Sequence, residues 1–208
     1  MYLPRHFEVT DQPTIDAFVR ANPFATMVSN VGGGLFATHL PVLAEGEVAA
    51  GGVLLGHVAR ANEHTQAFDG ATESLVVFTG PHGYISPTWY ASGPAVPTWN
   101  YGAVHVYGVA GAMTPEETVA FVLRLTDHFE GSPALSATLT ADYVTGLARG
   151  IVGFRLAVSR VEAKFKMSQN RPAEDASRVV AELARHESTG DRDLSEFMST
   201  YLGVSPEA

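Results

Sequence analysis

Cysteine is absent from this 208-residue chain. Disulfide bonds, thiolate catalysis and cysteine-ligated zinc or iron–sulfur sites are therefore excluded. Basic residues are also scarce, with 13 Lys and Arg against 22 Asp and Glu, which gives a formal net charge of -9. Because phosphate binding depends on clustered Lys and Arg, this balance argues against a broad nucleic-acid surface, although a local basic patch stays possible.

Long apolar runs and an N-terminal signal sequence are missing as well. No run approaches the roughly 18 to 20 residues that a membrane-spanning helix needs. Residues 1–8 lack a basic segment followed by an apolar one. The sequence therefore predicts a cytoplasmic protein that does not bind membranes. Its hydrophobic content of 46% is sufficient for a sizeable core.

The common catalytic and metal-binding motifs do not occur. There is no Gly-x-Ser-x-Gly elbow. Gly32-Gly33-Gly34 is not followed by a Lys and a hydroxyl residue, so it predicts a hairpin turn and not a phosphate loop. The eight histidines are scattered without a His-Glu-x-x-His pair, so no metal is predicted. The catalytic residues, if there are any, stay unknown at this level.

The hydrophobic pattern predicts six or seven strands interrupted by helices, which indicates an α+β fold with a barrel-like sheet. Thr114-Pro115-Glu116-Glu117 is typical of a helix start, with a capping box and a proline in the first turn. Gly80-Pro81 is expected to end the strand that begins at Leu75. The predicted strands are 24–29 and 35–43 (a hairpin), 53–59, 75–79, 84–85, 100–112 and 151–166, and the predicted helices are 13–21, 63–68, 114–129, 141–150, 173–186 and 191–202.

Two segments, 96–101 and 166–171, combine aromatic, amide and basic side chains. Aromatic rings offer flat faces, amides both donate and accept hydrogen bonds, and the basic groups add positive charge to an acidic protein. A planar, hydrogen-bonding anion such as flavin mononucleotide (FMN) needs this mixture. Ordinary core aromatics and a solvated loop are the alternative interpretations. The candidate residues are Trp99, Asn100, Tyr101, Lys166, Gln169 and Arg171.

A third candidate lies where a predicted strand ends and a short helix begins. His57, Arg60 and Asn62 flank this junction. A helix N-terminus beside an arginine can bind an anion such as phosphate. A capped helix with an exposed arginine is the alternative.

Five motifs follow one another along the chain in a recognisable order. They resemble the PaiB family, described as FMN-binding negative transcriptional regulators, from residue 2 to about residue 186. One departure lies after Asn62, where the family has proline and an aromatic residue and this chain has Glu63-His64-Thr65. The motifs are Tyr2-x-Pro-x-x-Phe7, Gly56-His57-x-Ala-x-x-Asn62, Gly80-Pro-x-x-Tyr84-Ile-Ser86-Pro-x-Trp89-Tyr90, Val96-Pro-Thr-Trp-Asn-Tyr101 with His105, and Lys166-x-Ser-Gln-Asn-Arg171.

The resemblance implies an FMN-binding split β-barrel of the flavin-reductase and pyridoxamine-phosphate-oxidase type with peripheral helices. It also implies a homodimer with two flavin sites across the interface. We expect this domain to span residues 1–186, and residues 187–208 to form a C-terminal helical extension packed on it. FMN is the expected cofactor. Its phosphate is expected at Arg60 and Asn62, with His57 nearby. Its ring is expected at the candidate residues of 96–101 and 166–171.

The resemblance also implies repression of genes for protease production and sporulation. No helix-turn-helix pair is recognisable, and acidic residues are interleaved with Arg178, Arg185 and Arg192 on the C-terminal helices. Direct DNA binding is therefore not expected, and regulation would be indirect. A flavin-dependent oxidoreductase acting on a small molecule is the first alternative. A split barrel that uses haem or a deazaflavin, or that has no cofactor, is the second.

Overall fold

The computed structural model describes residues 1–205, which contain eight strands and five α-helices. The predicted helices are all found, with ends that differ by a few residues, and residues 63–67 form a short 3-10 helix. The strands are β1 Glu8–Val9, β2 Phe24–Val31, β3 Gly34–Pro41, β4 Leu43–Glu45, β5 Val53–Ala59, β6 Asp69–Ile85, β7 Thr98–Ala112 and β8 Ile151–Lys166, and the helices are α1 Gln12–Ala21, α2 Pro115–Glu130, α3 Ala141–Ala148, α4 Ala173–Arg185 and α5 Thr189–Leu202.

All eight strands belong to one sheet, in the order β3-β2-β6-β7-β8-β5-β4, with β1 paired to β8. The β2–β3, β2–β6, β4–β5, β5–β8 and β1–β8 pairs are antiparallel. Antiparallel neighbours can be joined by short turns. The helices lie between strands or after the last one, which gives the predicted α+β arrangement.

The β2–β3 hairpin follows directly from its turn residues. Its register runs from Phe24 opposite Pro41 to Val31 opposite Gly34. Gly32 and Gly33 form the turn with φ of 61° and 87°. Two consecutive positive φ angles match the right-handed twist of the flanking strands, and glycine adopts them without strain. The predicted hairpin is confirmed.

The predicted end of a strand at Gly80-Pro81 is wrong. One strand, β6, runs from Asp69 to Ile85 and includes both residues. The alternation of buried and exposed residues slips by one position between Gly80 and Gly83, a pattern typical of a bulge. Proline keeps an extended φ and removes a single donor from the ladder, so it is tolerated at such a point.

The helix ends are set by side-chain caps. Thr114 and Glu117 form the predicted capping box, with N–H to oxygen distances of 2.8 and 3.2 Å. Helix α5 begins two residues before its predicted start because the Ser188 hydroxyl accepts from the Asp191 N–H. Side-chain caps of this kind satisfy backbone donors that otherwise lack a helical partner.

The chain divides into two compact units. Unit 1 consists of residues 1–10, 79–104 and 162–205, and unit 2 consists of residues 11–78 and 105–161. The long strands β6, β7 and β8 each contribute residues to both units. The predicted division at residue 186 does not coincide with either unit and stays a prediction.

Unit 1 has its own apolar core beneath helices α4 and α5. Val179 and Leu183 of α4 and Leu194 and Met198 of α5 are fully buried. The Ser195 hydroxyl donates to the Val180 carbonyl at 2.8 Å, which fixes one helix against the other. Helix α5 is thus an integral part of unit 1, although residues 206–208 of the predicted extension lie outside the described residues.

Unit 2 buries a separate core between β5, β8 and helix α2. Leu55 of β5 packs with Met113, Phe121 and Leu125 in one cluster of buried side chains. Gly56 leaves room for the buried Phe154 ring, because a Cβ at position 56 would lie 2.6 Å from it and would force the ring to move. Large apolar side chains on neighbouring elements contribute about 1.5–3 kcal/mol each when fully buried.

No helix in residues 1–205 is both long and apolar enough to cross a lipid bilayer.

Candidate functional site

A small cavity in unit 1 brings several of the predicted residues together. It has a volume of about 160 Å³ and lies where β7 begins and β8 ends. We call it the Asn100 cavity. Its walls combine an aromatic ring, amides, hydroxyls and two cations, and no carboxylate of residues 1–205 lines it. The lining residues are Tyr90, Val96, Thr98, Asn100, Lys166, Ser168, Asn170 and Arg171.

Asn100 is the unusual residue of this cavity. Its side chain is fully buried, and its Nδ2 donates to the Ser168 hydroxyl at 2.9 Å and lies 3.5 Å from the Met198 sulfur. Its Oδ1 has no hydrogen-bond partner among the described residues. A buried acceptor without a partner costs about 1–3 kcal/mol, so such groups are rare unless they serve a ligand or a water.

The turn after β8 holds Ser168 against Asn100. Ser168 has a φ of 63°, which side-chain-bearing residues seldom adopt. Gln169 stabilises the turn: its Nε2 donates to the Phe165 carbonyl at 2.5 Å, and its Oε1 accepts from the Met167 N–H at 2.6 Å. Backbone strain of this kind often occurs where a ligand is positioned. The structure gives Gln169 local partners, and its predicted contact with the flavin ring stays a prediction.

Lys166 brings a partly buried cation to the cavity. Its ammonium donates to the Trp99 carbonyl at 2.7 Å and to the Thr98 hydroxyl. Burial, and secondly the positive charge of Lys164, lower the pKa of Lys166 below its usual range. Neither contact neutralises the charge, because both partners are uncharged oxygens. Lys166 is therefore suited to a ligand that carries negative charge.

Arg171 is the second cation of the cavity. Its guanidinium lies 4.7 Å from the centre of the Tyr90 ring. The loop after Tyr90 is fixed by Asp175 of α4, which accepts from the Ala91 and Ser92 N–H groups at 2.7 and 3.1 Å. The Ser92 hydroxyl bond and these two backbone bonds lower the pKa of Asp175. Arg171 thus lies over the Tyr90 ring, and its positive charge also helps to lower the pKa of Asp175.

The predicted aromatic residues border this region of unit 1. Trp99 is 49% exposed, and its Nε1 donates to His82 Nδ1 at 3.3 Å. The Trp99 ring centre lies 6.4 Å from that of Tyr84. Tyr101 is half-buried, and the Lys164 ammonium lies 5.4 Å from its ring centre. Trp99 is therefore not an ordinary core aromatic.

The remaining three predicted residues, His57, Arg60 and Asn62, lie in unit 2. The Asn62 side chain caps the 3-10 helix by accepting from the His64 N–H at 2.9 Å. Arg60 donates to the Arg149 and Ile151 carbonyls at 2.7 and 2.9 Å. His57 is half-buried, burial lowers its pKa, and its Nδ1 has no partner among the described residues. Their role in phosphate binding stays a prediction.

Sequence reasoning missed a chain of buried polar groups in unit 2. His64 is fully buried and bonds the Ser29 hydroxyl at 2.7 Å and the Thr38 hydroxyl at 2.9 Å. Ser29 in turn lies 2.7 Å from the Ser74 hydroxyl. Burial lowers the pKa of His64, so the neutral form is favoured. The only sequence signal for these buried polar groups is the departure from the family pattern after Asn62, which introduces His64.

Residues 1–205 contain no group of three or more His, Asp or Glu side chains placed to hold a metal ion.

Residues 1–160 match the protein family described as "Putative FMN-binding domain". The chain is also 36% identical to the protease synthase and sporulation protein PAI 2 of Bacillus subtilis over 97% of this chain and 98% of that protein. The chain belongs to the PaiB family of FMN-binding-domain proteins. The predicted family membership is thereby confirmed.

Two solved structures share the fold of this PaiB-family chain. The FAD and haem binding protein from Mycobacterium smegmatis is 17% identical, with a TM-score of 0.59 over 76% of this chain and 73% of that chain. The flavocytochrome Anf3 from Azotobacter vinelandii is 16% identical, with a TM-score of 0.63 over 79% and 72%. At these identities the likeness concerns the fold alone. The predicted fold class, an α+β split barrel with peripheral helices, is confirmed.

Proposed function

We propose that this chain binds FMN and that the Asn100 cavity receives the pyrimidine edge of the flavin ring. One observation carries the proposal: the buried Asn100 Oδ1 lacks a partner within residues 1–205, in a cavity that it shares with Lys166 and Arg171. The family described as FMN-binding supports a flavin cofactor. The choice of FMN over other flavins is part of the proposal.

The donor and acceptor groups of the cavity match that edge. The pyrimidine edge of a flavin presents one N–H between two carbonyl oxygens. Asn100 Oδ1 is an acceptor for the N–H, and the Lys166 and Arg171 side chains are donors for the oxygens. A simple inorganic anion would satisfy the cations but would not need the acceptor. The arrangement therefore favours a ligand with both kinds of group.

The volume of the cavity is sufficient for one edge of the flavin ring. Ligand pockets usually measure about 300–1,000 Å³, whereas the Asn100 cavity measures about 160 Å³. It can enclose one ring edge and not a whole flavin. The half-exposed Trp99 ring and the Tyr101 ring are available to the rest of the isoalloxazine. We therefore keep Trp99 and Tyr101 in the proposed site as contacts of the flavin ring. Gln169 belongs to the site either as a contact or as the residue that shapes the turn.

Bound FMN would supply hydride and single-electron transfer. The contribution of the chain is electrostatic: a cation near the N1–C2=O2 region favours negative charge on the ring and raises the reduction potential. Lys166 is suited to this task because it is partly desolvated and its partners are neutral. This observation supports the second candidate function, a flavin-dependent oxidoreductase with a small-molecule substrate.

For regulation, we propose that the chain acts indirectly. The relative in Bacillus subtilis is named as a sporulation protein, and the chain carries a net charge of -9. Arg185 pairs with Glu182 at 2.8 Å, and Arg192 donates to the His186 and Glu187 carbonyls. Arg185 and Arg192 are thus engaged within the protein. A flavin-linked signal or a protein partner accounts for regulation better than direct DNA contact.

We further propose that the chain is a cytoplasmic homodimer. Strand β3 is at one end of the strand order, and its Leu35 is 85% exposed. Tyr84 and Trp99 in unit 1 are 48% and 49% exposed. Unpaired edges and exposed apolar side chains favour association with a second copy.

The cofactor itself is tested by purification and reconstitution. The expected preparation is yellow, with absorbance at about 450 nm that is typical of a bound flavin, and the released flavin is FMN by mass. After the flavin is removed, the protein is titrated in parallel with FMN, riboflavin, FAD and haem. FMN should bind more tightly than the others. A haem spectrum on purification, or no binding of any flavin, would reject the proposal.

A further inference from the structure

Unit 2 contains a second and larger cavity that shares no lining residue with the Asn100 cavity. Its volume is about 540 Å³, within the range of about 300–1,000 Å³ typical of small-molecule sites. It lies between the end of β7, the first turns of α2, the end of α3 and the start of β8. We call it the Arg149 cavity.

The walls of the Arg149 cavity are mostly apolar. Thr118 and Thr145 also line it. The Thr118 hydroxyl is already engaged, because it donates to the Thr114 carbonyl at 2.9 Å and accepts from the Gly153 N–H at 3.3 Å. These walls favour a hydrocarbon or aromatic group. The apolar lining residues include Ala112, Met113, Pro115, Val119, Ile151 and Val152.

The local backbone holds this cavity in shape. Met113 donates its N–H to the Gly153 carbonyl at 2.8 Å. A Cβ at Gly153 would lie 2.8 Å from both the Met113 sulfur and the Thr118 hydroxyl, so a side chain there would require one of them to move. The start of α2 is capped by its own Thr114–Glu117 box and therefore offers no free cap position to a ligand.

The charge of the Arg149 cavity is positive and uncompensated. Arg60 and Arg149 both line it, and no Asp or Glu is among its described lining residues. The Arg60 guanidinium is fixed in place by the Arg149 and Ile151 carbonyls through its Nε and Nη2, which leaves Nη1 without a partner within residues 1–205. The Arg149 side chain is exposed and makes no hydrogen bond or ion pair in the same range.

We propose that the Arg149 cavity binds an organic carboxylate with an apolar body. The apolar walls take the hydrocarbon part, and the two arginines take the carboxylate, for which the guanidinium group is well suited. The proposal does not depend on the Asn100 cavity, since the two cavities share no lining residue. The alternative ligand of these two arginines is the phosphate of FMN, because the sequence predicts phosphate binding at Arg60.

Calorimetric titration with octanoate tests the proposal, and octan-1-ol serves as the uncharged ligand of equal length. Octanoate should bind at one site per chain. Its dissociation constant should be at least about tenfold lower than that of octan-1-ol, which is the difference expected from one charge-assisted contact. Arg149→Gln should weaken octanoate binding by about tenfold. Arg178→Gln, an exposed arginine of unit 1, removes the same charge elsewhere and should leave binding unchanged.

A cavity-filling variant and a competition experiment complete the test. Ala148→Phe should abolish octanoate binding while the thermal unfolding curve stays cooperative. Saturating FMN should not displace octanoate. The proposal is overturned if octanoate does not bind, if octan-1-ol binds equally well, if Arg149→Gln has no effect, or if FMN displaces octanoate. The last result would assign the cavity to the flavin phosphate. FMN binding is followed separately by flavin fluorescence, so failure of the flavin proposal would be seen independently.

Discussion

The Asn100–Ser168 pair offers the sharpest distinction between a binding site and a structural contact. Asn100 carries a buried acceptor that has no partner in the described part of the chain, which costs about 1–3 kcal/mol. Its single good hydrogen bond, to Ser168 at 2.9 Å, contributes about 0.5–1.5 kcal/mol. The pair is therefore expected to be neutral or unfavourable for the stability of the flavin-free protein.

The double variant Asn100→Leu with Ser168→Ala removes both partners and replaces them with apolar groups. Replacement of both partners of a buried hydrogen bond can be neutral or stabilising. We expect the free energy of unfolding without FMN to stay constant or to rise by about 1–2 kcal/mol. The unusual φ of 63° at position 168 is present before and after the change, so it does not alter the comparison.

The affinity for FMN should respond in the opposite direction. Loss of the Asn100 acceptor would leave the flavin N–H unpaired, at a cost of about 1–3 kcal/mol. The dissociation constant should therefore rise by about 5- to 150-fold. Urea denaturation of the flavin-free protein measures the first quantity, and a fluorescence titration with FMN measures the second.

Ser195→Ala is a matched control in the same unit. Its hydroxyl is buried and donates to the Val180 carbonyl at 2.8 Å, away from the lining of the Asn100 cavity. This variant should lose about 1 kcal/mol of stability and keep its affinity for FMN. If the double variant behaves like this control, with lower stability and unchanged affinity, Asn100 has a structural role and the reasoning is refuted.

Three further predictions concern acid stability, association and DNA. Burial lowers the pKa of His64 from its usual 6.5, and of His57 likewise. The unfolded chain thus binds more protons than the folded one below about pH 6.5, and the free energy of unfolding falls as the pH decreases from that value. His64→Gln should make this slope shallower in urea titrations across the acid range, and an unchanged slope would contradict the assignment. Light scattering should give twice the 22.1 kDa mass of one chain, whereas a monomer at micromolar concentration would exclude the homodimer. Gel-shift assays should show no nanomolar, competitor-resistant complex with promoter DNA, and such a complex would favour a direct repressor.

The local elements of this protein could be predicted because their causes are local. Two glycines with positive φ make the β2–β3 turn, and Thr114 with Glu117 caps α2. Both signals lie within four residues of the structure that they produce. The side-chain chemistry of 96–101 and 166–171 also groups these segments, and both contribute to the lining of the Asn100 cavity.

The predictions that failed or stayed open concern longer-range effects. Local preference predicts that a strand ends at Gly80-Pro81. Pairing with the neighbouring strands nevertheless extends β6 to Ile85. The buried hydroxyls around His64 are unremarkable in sequence, because Ser29, Thr38 and Ser74 lie on three different strands. Only sheet pairing brings these strands side by side.

The sequence by itself determined the fold class, the helix and turn signals, and the chemical character of the candidate site. It could not determine which groups would be left without partners. Asn100 contacts Ser168 and Met198, which are 68 and 98 positions away along the chain. Whether a side chain is buried, and which of its atoms is satisfied, depends on what packs against it from such distant segments. Periodicity and propensity describe only near neighbours, so the unpaired Oδ1 of Asn100 and the uncompensated charge at Arg149 were decided by the tertiary structure.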